Sequence, residues 1–147
     1  MRLPGAFRAW IAEFWGYRPM PPSAARYLLW LDCGAAALAG TAVLLLGSWL
    51  SELYRVAHEL LMFVGVVNLL YACYSFSLAV RDKRPRSLLY GLVGGNALWA
   101  VICMAMALRL SNSASLFAQA YLMGEALFVG ALAMCEWRWR ELILVRI

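Results

Sequence analysis

Three polar side chains, Asn68, Asn96 and Glu125, each interrupt a long apolar run of the chain. In hydrocarbon every such group must find a partner, because an unsatisfied one costs several kcal/mol. An unpaired carboxylate is costlier still, so Glu125 is expected to hold either a proton or a partner. Two kinds of chemistry meet that demand. A mid-membrane carboxyl is how a proton relay or cation site is built, whereas a protonated Glu125 that accepts from and donates to Asn68 and Asn96 would tie helices together. Asp32 lies nearer the start of its run and is expected to pair with an arginine such as Arg26 or Arg138.

The other reactive residue types offer less. Cys33, Cys73, Cys103 and Cys135 fall one in each apolar run with no CxxC spacing, so neither a disulfide framework nor an exchange site is encoded. They read as small apolar fillers. His58 is the single histidine, beside Glu59, and cannot supply a two-histidine haem or zinc site from one chain. No metal site and no cofactor is expected. A nucleophile, a base and an orienting group cannot be assembled from these residues at one depth, so no catalytic role is expected either.

The elements that must position these side chains are the runs themselves. Of 147 residues, 65% are hydrophobic and 14% charged, against about 45–50% and about 25% for a soluble domain. The excess lies in residues 28–46, 60–80, 88–108 and 116–135, each close to the ~20 residues that cross ~30 Å of hydrocarbon. None of the pieces between them reaches the ~40 residues below which a chain rarely folds alone. A separate soluble catalytic or nucleic-acid-binding domain is therefore excluded. The fold expected is all-α: a polytopic membrane protein with four transmembrane helices in an antiparallel bundle over residues 27–137, and a tail over residues 138–147. At ~1.5 Å per residue, Asn68, Asn96 and Glu125 each lie ~12–13 Å from the start of their spans, within ~6 Å of one level, with Asp32 in a shallower layer.

The formal net charge of +5 is explained by where the bases sit. Arg2, Arg8, Arg18 and Arg26 precede the first span; Arg81, Lys83, Arg84 and Arg86 join the second to the third; Arg138, Arg140 and Arg146 follow the fourth. The two remaining connections hold only Arg55 and Arg109. Basic loops stay on the cytoplasmic side, which puts both termini inside a bacterial cytoplasmic (inner) membrane and makes four spans self-consistent. The expected partners are the lipid bilayer, whose anionic head groups suit the basic face, and a membrane-protein partner or further copies of the chain. Nothing in the charge calls for nucleic acid.

Residues 1–26 lack the continuous apolar core of a cleavable signal. Phe7, Trp10, Ile11, Phe14 and Trp15 recur on one helical face, and Pro19, Pro21 and Pro22 follow. This predicts a short interfacial helix that anchors on the membrane surface, with a partner-binding helix as the alternative use of the same face. Trp30, Trp49, Tyr90 and Trp137 mark span ends as an aromatic belt does.

Small residues mark where helices can touch. Asp32, Ala36 and Gly40 share a face, Gly91 and Gly95 form a GxxxG, and Ala120 and Gly124 repeat the spacing, with intramolecular packing the default use. Setting Asn68–Arg81 against Asn96–Arg109 matches Asn, Leu, Ala, Ala and Arg, with Tyr71 opposite Trp99. Successive spans run in opposite directions, so a real repeat would be inverted, as in many transporters. Compositional bias and shared packing needs also produce such matches.

The run His58-Glu-Leu-Leu-Met-Phe-Val-Gly65, then Asn68-Leu-Leu-Tyr71, Tyr74-Ser-Phe-Ser-Leu-Ala79, Arg84-Pro-Arg86, Asn96-Ala-Leu-Trp-Ala100 and Glu136-Trp-Arg138, resembles the small uncharacterised four-span integral membrane proteins of bacteria. The resemblance covers about residues 26–142 and implies no activity. Small multidrug-resistance transporters fit less well, since their essential acid stands in the first span, as do dual-topology fluoride channels, which need a weak basic bias. Two functions follow as expectations. One is a non-catalytic structural or interaction subunit of the cytoplasmic membrane; the other is a small oligomeric transporter or channel with a midplane polar site around Glu125.

Overall fold

The computed structural model describes residues 22–81 and 83–144, without the side chains of residues 22–26. The expected interfacial helix with Phe7, Trp10, Ile11, Phe14 and Trp15 lies outside the described residues, as does the Arg26 side chain. Among the described residues six helices follow one another: α1 (Pro22–Leu45), α2 (Gly47–Tyr54), α3 (His58–Ala79), α4 (Arg86–Arg109), α5 (Leu116–Arg138) and α6 (Arg140–Leu144). There is no strand among the described residues. α1, α3, α4 and α5 are long and apolar enough to cross a membrane, so the protein is an all-α four-span bundle. α4 and α5 run past the ends of their apolar runs, because backbone hydrogen bonding continues until a cap stops it. Pro85 starts α4 at φ −62°, and the Ser115 hydroxyl caps α5 by accepting from Ala118 N at 3.3 Å.

The spans are arranged as two hairpins. α1 packs along α3 and α4 along α5, while α3 meets α4, and α1 meets α5, over much shorter stretches. Glycine makes the first pairing close: a Cβ on Gly40 would stand 2.9 Å from the Gly65 carbonyl oxygen, and one on Gly65 would stand 2.8 Å from the Leu44 side chain. Across the hairpins the GxxxG of α4 receives tyrosines and not a backbone. A Cβ on Gly91 would meet the Tyr74 hydroxyl at 2.6 Å and one on Gly95 the Tyr71 ring at 3.3 Å. Gly124, the third expected packing position, has nothing within 4 Å of where its Cβ would be. Large apolar side chains such as Leu38, Leu98 and Leu127 are exposed on the bundle's outer surface, as a lipid-facing surface requires.

The end at which α1 begins is called the inner end below. There Leu29, Leu78, Leu89, Leu92 and Ile143 form the largest apolar cluster, all 1% exposed or less. Within the tail expected over residues 138–147, the described part forms α6, which folds back so that Ile143 enters the core. Burying such a side chain is worth ~1.5–3 kcal/mol, which favours the docked position of α6. Arg84 secures the same end by donating to Leu78 O at 2.9 Å, Ala79 O at 3.4 Å and Ile143 O at 2.9 Å, which ties the last carbonyls of α3 to α6. At the outer end the connection between the first two spans forms α2. Leu50 of α2 packs on Val43 and Leu61, and Tyr54 stacks on Tyr121 with centroids 5.7 Å apart. The turn after α2 needs Arg55 at φ 55°, a left-handed conformation uncommon without glycine.

Candidate functional site

Between the two hairpins lies a cavity of about 360 Å³, walled by all four spans. Its polar wall is formed by Asp32 of α1, Asn68 and Tyr71 of α3, Asn96 and Trp99 of α4, and Glu125 of α5. The rest is apolar, with Phe63 and Phe128 as the large faces and Ala35, Ala36 and Ala39 as the small ones. The cavity exists where the hairpins diverge: the pairs that pack closely are within hairpins, and alanines on α1 leave the space unfilled.

At the inner end of this cavity a buried polar node joins all four spans. The Asp32 carboxylate accepts from Ser75 Oγ at 2.6 Å and Tyr71 Oη at 3.0 Å on one oxygen, and from Asn96 Nδ2 at 3.2 Å on the other. The same Asn96 nitrogen donates to Glu136 Oε2 at 3.1 Å. Asp32, Ser75, Asn96 and Glu136 are each 2% exposed or less. One amide therefore holds two carboxyl groups, one from each hairpin, and the second oxygen of Glu136 has no protein partner. Polar contacts of this kind fix which helix faces meet, since any other register strands a carboxyl in hydrocarbon.

The outer part of the cavity holds a simpler arrangement. Trp99 Nε1 donates to Glu125 Oε1 at 3.4 Å, a long bond. Glu125 is half-buried and lines the cavity. Tyr71 and Trp99, set opposite each other by the internal comparison, thus do the same thing: each donates to a carboxyl on the partner span of its own hairpin.

The residues expected to meet at mid-membrane are accordingly brought to one cavity but not to one hydrogen-bonded cluster. Asn68 turns back and donates to Val64 O of its own helix at 3.0 Å. Asn96 reaches Asp32 and Glu136, and Glu125 reaches Trp99. The starts of the apolar runs place Asp32 shallower than Asn96, but the helices begin before those runs. Counted from the helix starts at Pro22 and Arg86, each lies ten residues in, ~15 Å along its helix. Asp32, expected to pair with Arg26 or Arg138, takes hydroxyl and amide donors in the described structure.

Glu136, like Ser75 and Tyr71, is a node residue that sequence reasoning missed. It falls one position beyond the apolar run 116–135, so the run alone does not place it in the span, although the helix continues to Arg138. A signal was present, since a Glu flanked by Cys135 and Trp137 inside a continuing helix is still at belt depth. All four cysteines are free, and Cys33 donates its thiol to Ala72 O at 3.4 Å. The imidazole of His58 lies against Gly47 at the outer end, at the opposite end of α3 from Ser75 of the node. Among the described residues no three His, Cys, Asp or Glu side chains are grouped to hold a metal ion.

No protein-family model, no curated protein and no solved structure matches the chain. The class it belongs to is defined by its own fold: an all-α bundle whose four long helices are apolar enough to cross a membrane.

Proposed function

We propose that this chain is a non-catalytic, multi-pass protein of the bacterial cytoplasmic membrane that holds a small membrane-borne molecule between its two hairpins, in the manner of a small transporter. The observation that carries this reading is the cavity of about 360 Å³ with six polar groups on its wall. Volumes of ~300–1,000 Å³ with apolar walls and a few convergent polar groups are what small-molecule sites have. A further support is that Tyr71 and Trp99 repeat one role on spans running in opposite directions, as expected when a site lies between inverted elements. Both termini lie on the cytoplasmic side in this proposal, and the family is the small four-span bacterial one. Four helices leave little room for a pore, so flux would use further copies of the chain as partners in an oligomer.

The test is occupancy of the cavity. A panel of small aromatic probes that differ in charge is titrated into the protein in nanodiscs, and thermal unfolding is followed. At least one probe is expected to stabilise the protein saturably, and Ala36→Leu or Ala39→Leu, which fill the cavity, to abolish that effect while the protein stays folded. Absence of a saturable shift with every probe would sink the reading and leave the structural or interaction subunit, which short connections between spans equally suit.

A further inference from the structure

The cavity wall is unbalanced in charge. Asp32 and Glu125 both line it, and no Lys, Arg or His stands among the described residues that do. The two carboxyls are not equally engaged. Asp32 already accepts three hydrogen bonds, from Ser75, Tyr71 and Asn96, and is 2% exposed. Glu125 accepts a single long bond from Trp99 at 3.4 Å and remains half-buried at the wall. A carboxylate has about four lone-pair positions, so Glu125 keeps acceptor capacity that Asp32 has largely used.

The surroundings of Glu125 are aromatic. Trp99, Phe63 and Phe128 share the wall with it. Aromatic faces attract cations through the ring quadrupole, most strongly for Trp and most of all where water is excluded. A carboxylate in hydrocarbon needs a counter-charge. An organic cation with an apolar body answers both demands at once, whereas an anion would face two carboxyls and a neutral molecule would require Glu125 to carry a proton. The volume limits its size: 360 Å³ at the ~30 Å³ that a water occupies is about a dozen non-hydrogen atoms.

We infer that the ligand class of this cavity is a small lipophilic organic cation, such as a substituted ammonium carrying one aromatic ring, with Glu125 as its counter-ion and Trp99 and Phe128 as its aromatic wall. This deepens the ligand-site reading above and rests on it. Glu125 binds; Asp32, with Asn96 and Glu136, holds the hairpins in the register that keeps the cavity open. The loose Trp99 contact is part of the device, since the indole orients one carboxyl oxygen and leaves the other for the ligand.

The experiment compares two probes of one shape. Benzyltrimethylammonium and neopentylbenzene differ by a quaternary nitrogen in place of a quaternary carbon. Binding of each to the full chain in nanodiscs is measured by calorimetry and by thermal shift, with empty nanodiscs subtracted. The cation is expected to bind with one site per chain, at least tenfold more tightly than the neutral isostere. Glu125→Gln should weaken the cation at least tenfold and leave the isostere within about twofold. Glu59→Gln, an exposed acid at the outer end of α3, should change neither. Equal binding of both probes, or a cation affinity unmoved by Glu125→Gln, overturns the inference while the ligand-site reading stands. Equal weakening by Glu59→Gln and Glu125→Gln shows surface attraction and also overturns it. If neither probe binds, the inference is overturned, and the ligand-site reading fails with it when the wider probe panel also gives no saturable shift. Should Glu125→Gln unfold the protein, Phe128→Leu replaces it: loss of the cation's advantage over the isostere supports the inference, and an unchanged advantage overturns it.

Discussion

Asn96 of α4 reaches across to Asp32 of α1, its amide nitrogen 3.2 Å from the carboxylate, and the same nitrogen stands 3.1 Å from Glu136. Asn96 thereby links two hairpins that otherwise meet over short stretches, alongside the Tyr74 hydroxyl of α3, which donates to Leu88 O of α4 at 2.7 Å. Asn96→Leu is expected to remove the donor from both carboxyls and to lower stability by ~2–4 kcal/mol, since each loses a partner while buried. Tyr71→Phe leaves Asp32 with Ser75 and Asn96 and should cost only ~1 kcal/mol. Reversible unfolding in detergent measures both; equal effects would show that the node is not centred on Asn96.

The glycines divide into those that must be small and those that need not be. A Cβ on Gly40 would meet a backbone oxygen at 2.9 Å, Leu69 at 3.0 Å and Asn68 at 3.1 Å, whereas one on Gly124 meets nothing within 4 Å. Gly40→Leu should therefore separate α1 from α3 and cost at least ~3 kcal/mol. Gly124→Leu should fold normally and stay within ~1 kcal/mol of the parent. Thermal melts of the pair settle the contrast, and a neutral Gly40→Leu would contradict the close crossing.

At the inner end Ile143 is 1% exposed and Arg84 donates to three backbone carbonyls. Ile143→Ala should cost ~2–4 kcal/mol. Arg84→Ala should release α6 without disturbing the outer end, visible as faster hydrogen exchange confined to residues 139–144 and the last turn of α3. Uniform exchange across the bundle would instead mean that Arg84 supports the fold as a whole.

Topology is open to single-cysteine labelling on a background with Cys33, Cys73, Cys103 and Cys135 replaced. Ser87→Cys, at the start of α4, should react from the cytoplasm, and Ser113→Cys, in the connection before α5, from outside. The reverse pattern would contradict the charge-based orientation, and reaction of both from one side would contradict four spans.

Tyr54 carries a pH dependence at the outer end. Burial pushes its phenol above the ordinary value of 10.0, because the phenolate is poorly solvated against Tyr121. The folded form thus binds the proton more tightly than the unfolded one. Its contribution is present in full below pH ~10 and is lost as pH rises through the folded value. Tyr54→Phe should make the alkaline fall in melting temperature shallower; an unchanged fall would remove Tyr54 as its source.

The four spans were legible because hydropathy is a local sum. A run such as residues 88–108 buries its backbone polarity in its own hydrogen bonds, and its composition alone decides between water and lipid. Asn68, Asn96 and Glu125 could be singled out on the same ground, since a polar group in such a run costs several kcal/mol wherever it points. Partner choice was not legible. It depends on which faces of two helices meet and on register to within a few ångströms, and helix ends decide that register. Pro22 and Arg86 start α1 and α4 ahead of their apolar runs, which brings Asp32 level with Asn96, and α5 continues past its run to keep Glu136 within reach of both. Ile143 makes the same point: nothing in a five-residue helix says that it is core until Leu29, Leu78, Leu89 and Leu92 have come together to receive it. What lies along one segment was determined by the sequence itself; what lies between segments was decided only when four helices packed, because the free energy of a buried polar group belongs to its partner as much as to its own residue.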